Sequence, residues 1–421
     1  RIVLGGFTAS FFADEIIREF SEIDYIIKGD AEIPLVELVR CLKGLGDVSH
    51  VPNLLYRTNK NVISNPQTFS ADQALLNRIN FTDFDLIENR DEFIFRLKTW
   101  VRVKDVSNRL HKALLGSKSL YPVYLGRGCP YSCSYCGGNN HAQRAINNRA
   151  GVILRSVENV VQSLLDIHRH GFDGASFNYD PLVLEIADAF YLEVFAQLRR
   201  LAVKMFVEIE RWKLPSEEFI IAFKETFAPG SFVSLSLNHP DESLRKKNNL
   251  FMYGNDNLEA CLRVFERRQV NVMLFFACGL PFETSETLRA LRTFVKGIKK
   301  KYRYVRCKVS LIEIEPCSDL SVNPGNYGIS VVKKSFLDYY RYHAGQHTNH
   351  YQEIGYTGDG AINKKTLTRF YCSHFCKVFK AGMFSPLFCH LAGLAWKTGT
   401  VRLIDKTIIS RKKNGPATSK G

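Results

Sequence analysis

No apolar stretch of this 421-residue chain approaches the roughly 20 residues that a membrane-spanning helix needs. Its amino end has no charged leader followed by an apolar core. No membrane partner is expected, and the expected compartment is the cytoplasm. There is no internal repeat, which excludes a solenoid. The eleven cysteines have no regular disulfide spacing, and their odd number points to a reducing compartment and metal chemistry rather than a stapled secreted fold. What the chain does have is 45% hydrophobic residues, ample for a core of more than one domain. Its formal net charge of +15 favours anionic partners, although charge alone speaks to solubility and steering. Part of that excess lies in a tail where Lys406, Arg411, Lys412, Lys413 and Lys420 mix with Asn414, Gly415, Pro416 and Ser419. That is the composition of a solvated end, so nucleic acid is not expected as a partner.

The chain opens without a methionine on Arg1-Ile2-Val3-Leu4-Gly5-Gly6, an apolar strand ending in paired glycines, and is expected to be a fragment. A helical stretch over Asp14 to Phe20, a strand over Asp24 to Gly29 and an amphipathic helix over Ile33 to Leu42 follow. This alternation is the signature of a doubly wound α/β sheet. From Val51 to Lys118 the pattern weakens, with Asn59-Lys60-Asn61 expected as a hairpin turn between Asn53 to Arg57 and Val62 to Ile63. The run Phe81 to Leu86 is a short aromatic anchor. Beyond it, six strands are expected: Pro122 to Leu125, Gly174 to Phe177, Lys204 to Ile209, Phe232 to Leu237, Val270 to Phe276 and Arg306 to Ile314. Helices over Ser156 to His170, Leu184 to Leu201, Ser216 to Phe227, Asn257 to Arg268 and Thr284 to Lys300 separate them, giving parallel crossovers and a partial (β/α)6 TIM-like barrel. Chemistry in such a barrel gathers at the carboxyl ends of the strands.

Just after the first of those strands comes Gly126-Arg127-Gly128-Cys129-Pro130-Tyr131-Ser132-Cys133-Ser134-Tyr135-Cys136-Gly137-Gly138. Three soft thiolates at CxxxCxxC spacing hold three irons of a 4Fe-4S cube and leave the fourth iron open for an exogenous ligand. Three buried thiols, or a zinc site completed by His141, are the alternatives, though structural zinc sites more often use paired CxxC knuckles.

The triplet, with aromatic Tyr135 before its last cysteine, resembles the cluster motif of the radical S-adenosylmethionine (radical SAM) superfamily. The resemblance implies an enzyme with a 4Fe-4S cluster on Cys129, Cys133 and Cys136 and S-adenosylmethionine (SAM) on the open iron. Reductive cleavage of SAM would give methionine and a 5'-deoxyadenosyl radical that abstracts hydrogen from a small-molecule substrate. An electron donor such as flavodoxin or ferredoxin is implied as a partner. The runs Leu4 to Ser10 and Asp24 to Glu32 resemble the closing half of the Rossmann-like, flavodoxin-like cobalamin-binding domain that precedes many radical SAM domains. There Gly5 and Gly6 would let the backbone approach the nucleotide tail of cobalamin. The family's cobalt-ligating histidine loop would lie upstream of Arg1. The implied layout is a partial cobalamin-binding domain at 1–50, a connector at 51–118, the radical SAM barrel at 119–320, and a helical extension with a basic tail at 321–421. Cobalamin-dependent methyl transfer in the full-length parent is the leading implied reaction. Rearrangement or cyclisation without methyl transfer, and a non-catalytic zinc or nucleic-acid-binding protein, are the alternatives.

If these strands form, their ends should offer groups suited to SAM, and several do. Asp180, in Phe177-Asn178-Tyr179-Asp180-Pro181, stands where the family holds the SAM amine, or else belongs to an ordinary Asp-Pro turn. Period-two alternation puts Glu208 and Glu210 on one face, where Glu210 pairs with Arg211 or binds a ligand. Ser234, Ser236 and Asn238 share a face of short polar groups that suits a ribose. Arg245 stands where the resemblance implies a clamp on the SAM carboxylate, the alternative being a solvated helix face. Gly279 and Glu283, in Gly279-Leu280-Pro281-Phe282-Glu283, match the ending the family carries beside the adenine, with Glu283 capping the next helix. The sixth strand ends at Glu313 to Ser318, which would complete the adenine pocket. Cys372, Cys376 and Cys389 are read as core packing rather than an auxiliary cluster.

Overall fold

The strands Gly174–Phe177, Phe206–Arg211, Phe232–Asn238 and Asn271–Cys278 are buried along nearly their whole length, as expected of parallel strands covered on both faces. The computed structural model describes residues 1–58, 61–94, 118–180, 187–251, 253–346, 355–360, 362, 366–367 and 370. Fourteen strands are defined among these residues. Four form an amino-terminal sheet: β1 (Val3–Leu4), β2 (Tyr25–Ile27), β3 (Leu54–Arg57) and β4 (Val62–Ser64). Next come β5 (Leu120–Pro122), β6 (Gly126–Arg127), β7 (Ile153–Leu154) and β8 (Gly174–Phe177). The remainder are β9 (Phe206–Arg211), β10 (Phe232–Asn238), β11 (Asn271–Cys278), β12 (Val305–Leu311), β13 (Ser330–Val331) and β14 (Tyr356–Thr357).

The central sheet has six strands in the order β12-β11-β10-β9-β8-β5, every neighbouring pair parallel. Consecutive strands lie side by side with helices between them, which is the winding of an open α/β barrel. Polar residues start these helices where the sequence places them: Ser156, Ser216 and Thr284 each accept a backbone N–H of the first turn. The first and last strands end earlier than expected. Pro122 closes β5, and the chain then turns into β6, which pairs antiparallel with β7. After Leu311, the last residue of β12 to pair with β11, Glu313 to Pro316 form a loop over the sheet's carboxyl end.

In the amino-terminal sheet β1 and β2 are parallel, whereas β3 and β4 add antiparallel. The hairpin read into the connector is therefore part of this sheet; its turn residues 59 and 60 lie outside the described residues. Ile16, Ile17, Ile26 and Leu55 form the core beneath the helix Ala13–Glu19. Residues 1–362 make one contact unit. Pro181, Cys372, Cys376, Cys389 and the basic tail lie outside the described residues. No described helix is long and apolar enough to cross a membrane.

Candidate functional site

Cys129, Cys133 and Cys136 share the loop between β6 and the helix Asn140–Asn147, beyond the carboxyl end of β5. Cys129 and Cys133 are buried, Cys136 is half-buried, and all three thiols are free. Both ends of the loop are fixed by close backbone packing. Gly128 has φ +90°, and a Cβ there would lie 2.2 Å from the carbonyl of Gly151. At Gly137 a Cβ would lie 2.3 Å from the carbonyl of Pro316. The Gly137 N–H donates to Glu315 Oε2 at 2.7 Å, and the Gly138 N–H donates to Cys136 Sγ at 3.4 Å. Between these ends, Asn139 donates from its amide to the Cys133 carbonyl at 3.0 Å while capping the following helix.

Burial raises all three thiols, Cys136 up to about 12, and for Cys133 the neighbouring Cys136 and Cys129 add to the effect of burial. Three such thiols are costly as bare thiolates and are stabilised by a shared cationic centre, so the donor set fits an iron-sulfur cube. His141 is exposed on the following helix. No three His, Cys, Asp or Glu side chains among the described residues converge on one ion. A cube does not require that, because each thiolate meets a different iron. Tyr131, Trp212 and Phe251 wall the loop: Tyr131 packs edge-on to both rings at 5.6 and 4.9 Å, and Trp212 stacks on Phe251. Such a wall limits water around the thiols.

On the inward face of the sheet, hydrogen-bonded rungs cross from β9 to β10. Ser234 donates to Glu208 Oε1 at 3.1 Å, and Ser236 donates to Glu210 Oε1 at 2.6 Å. Trp212 Nε1–H also donates to Glu210, at 3.1 Å. Burial pushes the Glu210 carboxyl up to about 7 against these bonds. Tyr135 reaches from the cluster loop to donate to Asn238 Oδ1 at 2.9 Å, so Tyr135, Glu210 and Ser236 converge on one wall. Arg211 does not pair with Glu210. It points to the opposite face, where its Nε meets Asp180 Oδ2 at 3.1 Å and its Nη2 meets Asp188 at 2.8 Å. Asp180, which also accepts the Trp212 N–H at 3.1 Å, is thus fully buried and fixed by an arginine.

Arg245 is fully buried rather than solvated. Its guanidinium donates to the carbonyls of Phe251 and Tyr253 at 3.0 and 2.7 Å and to Asn255 at 3.2 Å, with Glu242 at 3.5 Å. These bonds direct it into its own loop, away from the placement expected of a carboxylate clamp. Gly279 is also engaged within the protein: its N–H donates to Glu283 Oε2 at 2.6 Å, and its carbonyl accepts from Tyr356 at 2.6 Å. Glu283 does not cap the next helix, a task that Thr284 performs with Thr287 in a capping box. It turns inward beside His239, whose Nε2 lies 3.6 Å from Oε1. Because His239 Nδ1 accepts the Asp241 N–H at 3.0 Å, the ring carries its proton on Nε2. Burial lowers His239 to about 4 and raises Glu283 to about 8.

Gly5 and Gly6 are exposed at the end of β1, and the next two residues, Phe7 and Thr8, line a cavity of about 400 Å³. Its other walls include Gly137, Gly138, Glu313 and Glu315, so it adjoins the rear of the cluster loop. Sequence reasoning missed Asn248. This buried residue accepts from Ser134 Oγ at 3.1 Å and donates to the Pro281 carbonyl at 3.1 Å, tying the cysteine loop to the turn after β11. Nothing in the local sequence distinguishes it from its neighbour Asn249.

The described residues thus hold an open six-stranded parallel sheet with three free thiols on one loop at its carboxyl end. Residues 123–295 match the family model of the radical SAM superfamily, so the chain carries a radical SAM domain, whose cofactors are a 4Fe-4S cluster and SAM. The fold is similar to that of the radical S-adenosylmethionine methyltransferase TsrM from Kitasatospora setae, solved with cobalamin and a 4Fe-4S cluster bound, with TM-score 0.53 and 17% identity over 79% of this chain and 60% of that one. It is also similar to the cobalamin-dependent S-adenosylmethionine radical enzyme OxsB, solved with aqua-cobalamin and SAM bound, with TM-score 0.55 and 11% identity over 90% of this chain and 54% of that one. In sequence, 136 residues are 24% identical to the anaerobic magnesium-protoporphyrin IX monomethyl ester cyclase of Synechocystis, covering 32% of this chain and 23% of the relative. The chain thus spans little more than half the length of the structural relatives.

Proposed function

We propose that the chain is the SAM-cleaving part of a cobalamin-dependent radical SAM enzyme, and that the full-length parent transfers a methyl group to a small molecule. The observation that carries this reading is the cavity of about 400 Å³ shared by the rear of the three-thiol loop and the start of the helix Phe7–Phe11 that follows β1. A second cofactor at that position would lie against the cluster loop. When bound, the cluster supplies the electron for reductive SAM cleavage and cobalamin supplies the methyl group. Cys129, Cys133 and Cys136 would hold the cluster. Glu210, with Ser236 beside it, presents an acceptor to the SAM ammonium or ribose, and Tyr135 fixes the wall by its bond to Asn238. Trp212 and Phe251 keep water from the thiols.

Anaerobic reconstitution tests this reading. About four irons per chain are expected, with 5'-deoxyadenosine formed from SAM on reduction. Cys133→Ala is expected to lose both, and full cleavage by that variant would overturn the assignment. The sequence relative favours ring closure as a second reading. Cobalamin-dependent formation of S-adenosylhomocysteine separates the two, because methyl transfer consumes a second SAM and cyclisation does not. A soluble electron donor of the flavodoxin or ferredoxin type, a cytoplasmic location and the domain boundaries inferred from the sequence belong to the same proposal.

A further inference from the structure

Between the amino-terminal sheet and the cysteine loop lies an ionic network that neither the cluster nor SAM explains. Asp30 follows β2, and both its carboxylate oxygens are committed. Oδ1 meets Arg127 Nη1 at 2.8 Å, while Oδ2 meets Arg149 Nη2 and accepts the Ala71 N–H at 2.9 Å. Arg127 Nη2 pairs with Glu32, and Arg149 also donates to the Ala71 carbonyl at 3.0 Å. Asp30 and Arg149 are each 6% exposed. Arg127 is two residues before Cys129, and the Arg149 side chain lies against Gly128, where a Cβ would come within 3.0 Å of its Cδ. On the other side, the Gly29 N–H donates to Ser10 Oγ at 2.9 Å, and that hydroxyl donates to the Gly6 carbonyl at 2.8 Å. The short helix Phe7–Phe11, whose first residues line the 400 Å³ cavity, and the first cluster ligand are thus joined through one carboxylate.

Such a network is a poor way to gain stability alone, since apolar residues of similar volume serve as well or better, but the forked geometry of arginine fixes direction and register. We propose that Asp30, acting through Arg127 and Arg149, is a positioning residue for the cluster loop, holding Cys129 in register with the amino-terminal sheet. The backbone at Gly128 has no space in which to absorb a shift of Arg127, so a displacement there is passed to Cys129. The inference rests on the radical SAM reading of the loop.

The test uses the whole chain, with Asp30→Asn, Asp30→Glu and Arg127→Lys beside the wild type and Glu217→Gln as a remote ion-pair control. In the metal-free protein, Asp30→Asn is expected to speed hydrogen exchange of amides 126–138 by about ten-fold while leaving the helix 285–301 unchanged. After reconstitution it is expected to load iron normally, yet to lose the SAM-dependent change in the EPR signal of the reduced cluster and to show a KM for SAM raised about ten-fold with a smaller change in kcat. Asp30→Glu is expected to recover part of the signal, and Arg127→Lys to fall between. Wild-type exchange and a wild-type EPR response in Asp30→Asn would overturn the proposal, as would uniformly faster exchange throughout the variant. If the wild type itself fails to load iron, the radical SAM reading of the loop fails instead.

Discussion

Glu210 and Arg211 are neighbours on β9, yet they lie in regions with opposite treatments of charge. Towards the helices, Arg211 sits over the rings of Tyr191 and Phe219 and is flanked by Asp180 and Asp188. Burial works against the Asp188 carboxyl, but the arginine outweighs it and holds the group below its ordinary value. Towards the mouth, Glu210 meets a hydroxyl and an indole N–H, and Glu283 meets backbone amides and a neutral imidazole. Burial raises both, to about 7 and about 8. Alternation along β9 thus separates Arg211, whose charge is neutralised by two aspartates within the fold, from Glu210, whose carboxyl burial raises towards neutral pH.

The harshest way to break this comparison is Arg211→Met, which strands two aspartates on the helix side. A loss of about 3–5 kcal/mol is expected from the midpoint of urea unfolding. A loss below about 1 kcal/mol would mean that the pairing does not neutralise that region. Next is Glu210→Gln, which can still accept from Ser236 and Trp212. Its unfolding midpoint is expected to stay put while the KM for SAM rises about ten-fold, some 1.4 kcal/mol. The opposite outcome, a lower midpoint with unchanged KM, would assign Glu210 to the structural side.

A subtler effect is expected of Glu283→Gln. Because the folded-state pKa of Glu283 is raised from 4.5 to about 8, the folded protein holds more protons than the unfolded chain across that interval, and this group's contribution to stability falls as pH rises through it. His239 acts in a different window: lowered from 6.5 to about 4, it costs stability as pH falls from 6.5. Thermal midpoints from pH 6.5 to 8.5 are therefore expected to decline less steeply in Glu283→Gln than in the wild type. An unchanged slope would show that the carboxyl ionises freely. Smallest of all is Glu217→Gln, which removes an exposed pairing with Arg267 and Arg268 on the outer helices, and no measurable change in thermal midpoint is expected.

The barrel was legible because its signals are local and mutually consistent: apolar runs of strand length, Ser or Thr at helix starts, and cysteines whose spacing alone specifies a shared loop. The strand alternation of Glu208 and Glu210 could be read in the same way. Partner choice could not. Asp180, Arg245 and Glu283 each occupy a position expected to face the ligand, but their bonds go to Arg211, to the carbonyls of Phe251 and Tyr253, and to Gly279, respectively. Those choices depend on how loops fold back, which carries no short-range signature. Asp30 was hidden for a related reason: Arg127 and Arg149 are 97 and 119 residues away in sequence. The β3–β4 hairpin was visible as a hairpin, but its membership of the first sheet depends on pairing with β2.

The glycines at the two ends of the cysteine loop have a mechanical consequence. Neither Gly128 nor Gly137 has room for one added carbon, so the chain between them is strung between two fixed posts. Its span is set by the backbone at Gly151 and Pro316, against which the two glycines pack, rather than by the residues of the loop itself. A single methyl group at either post would reset that width, although neither position bears a thiol.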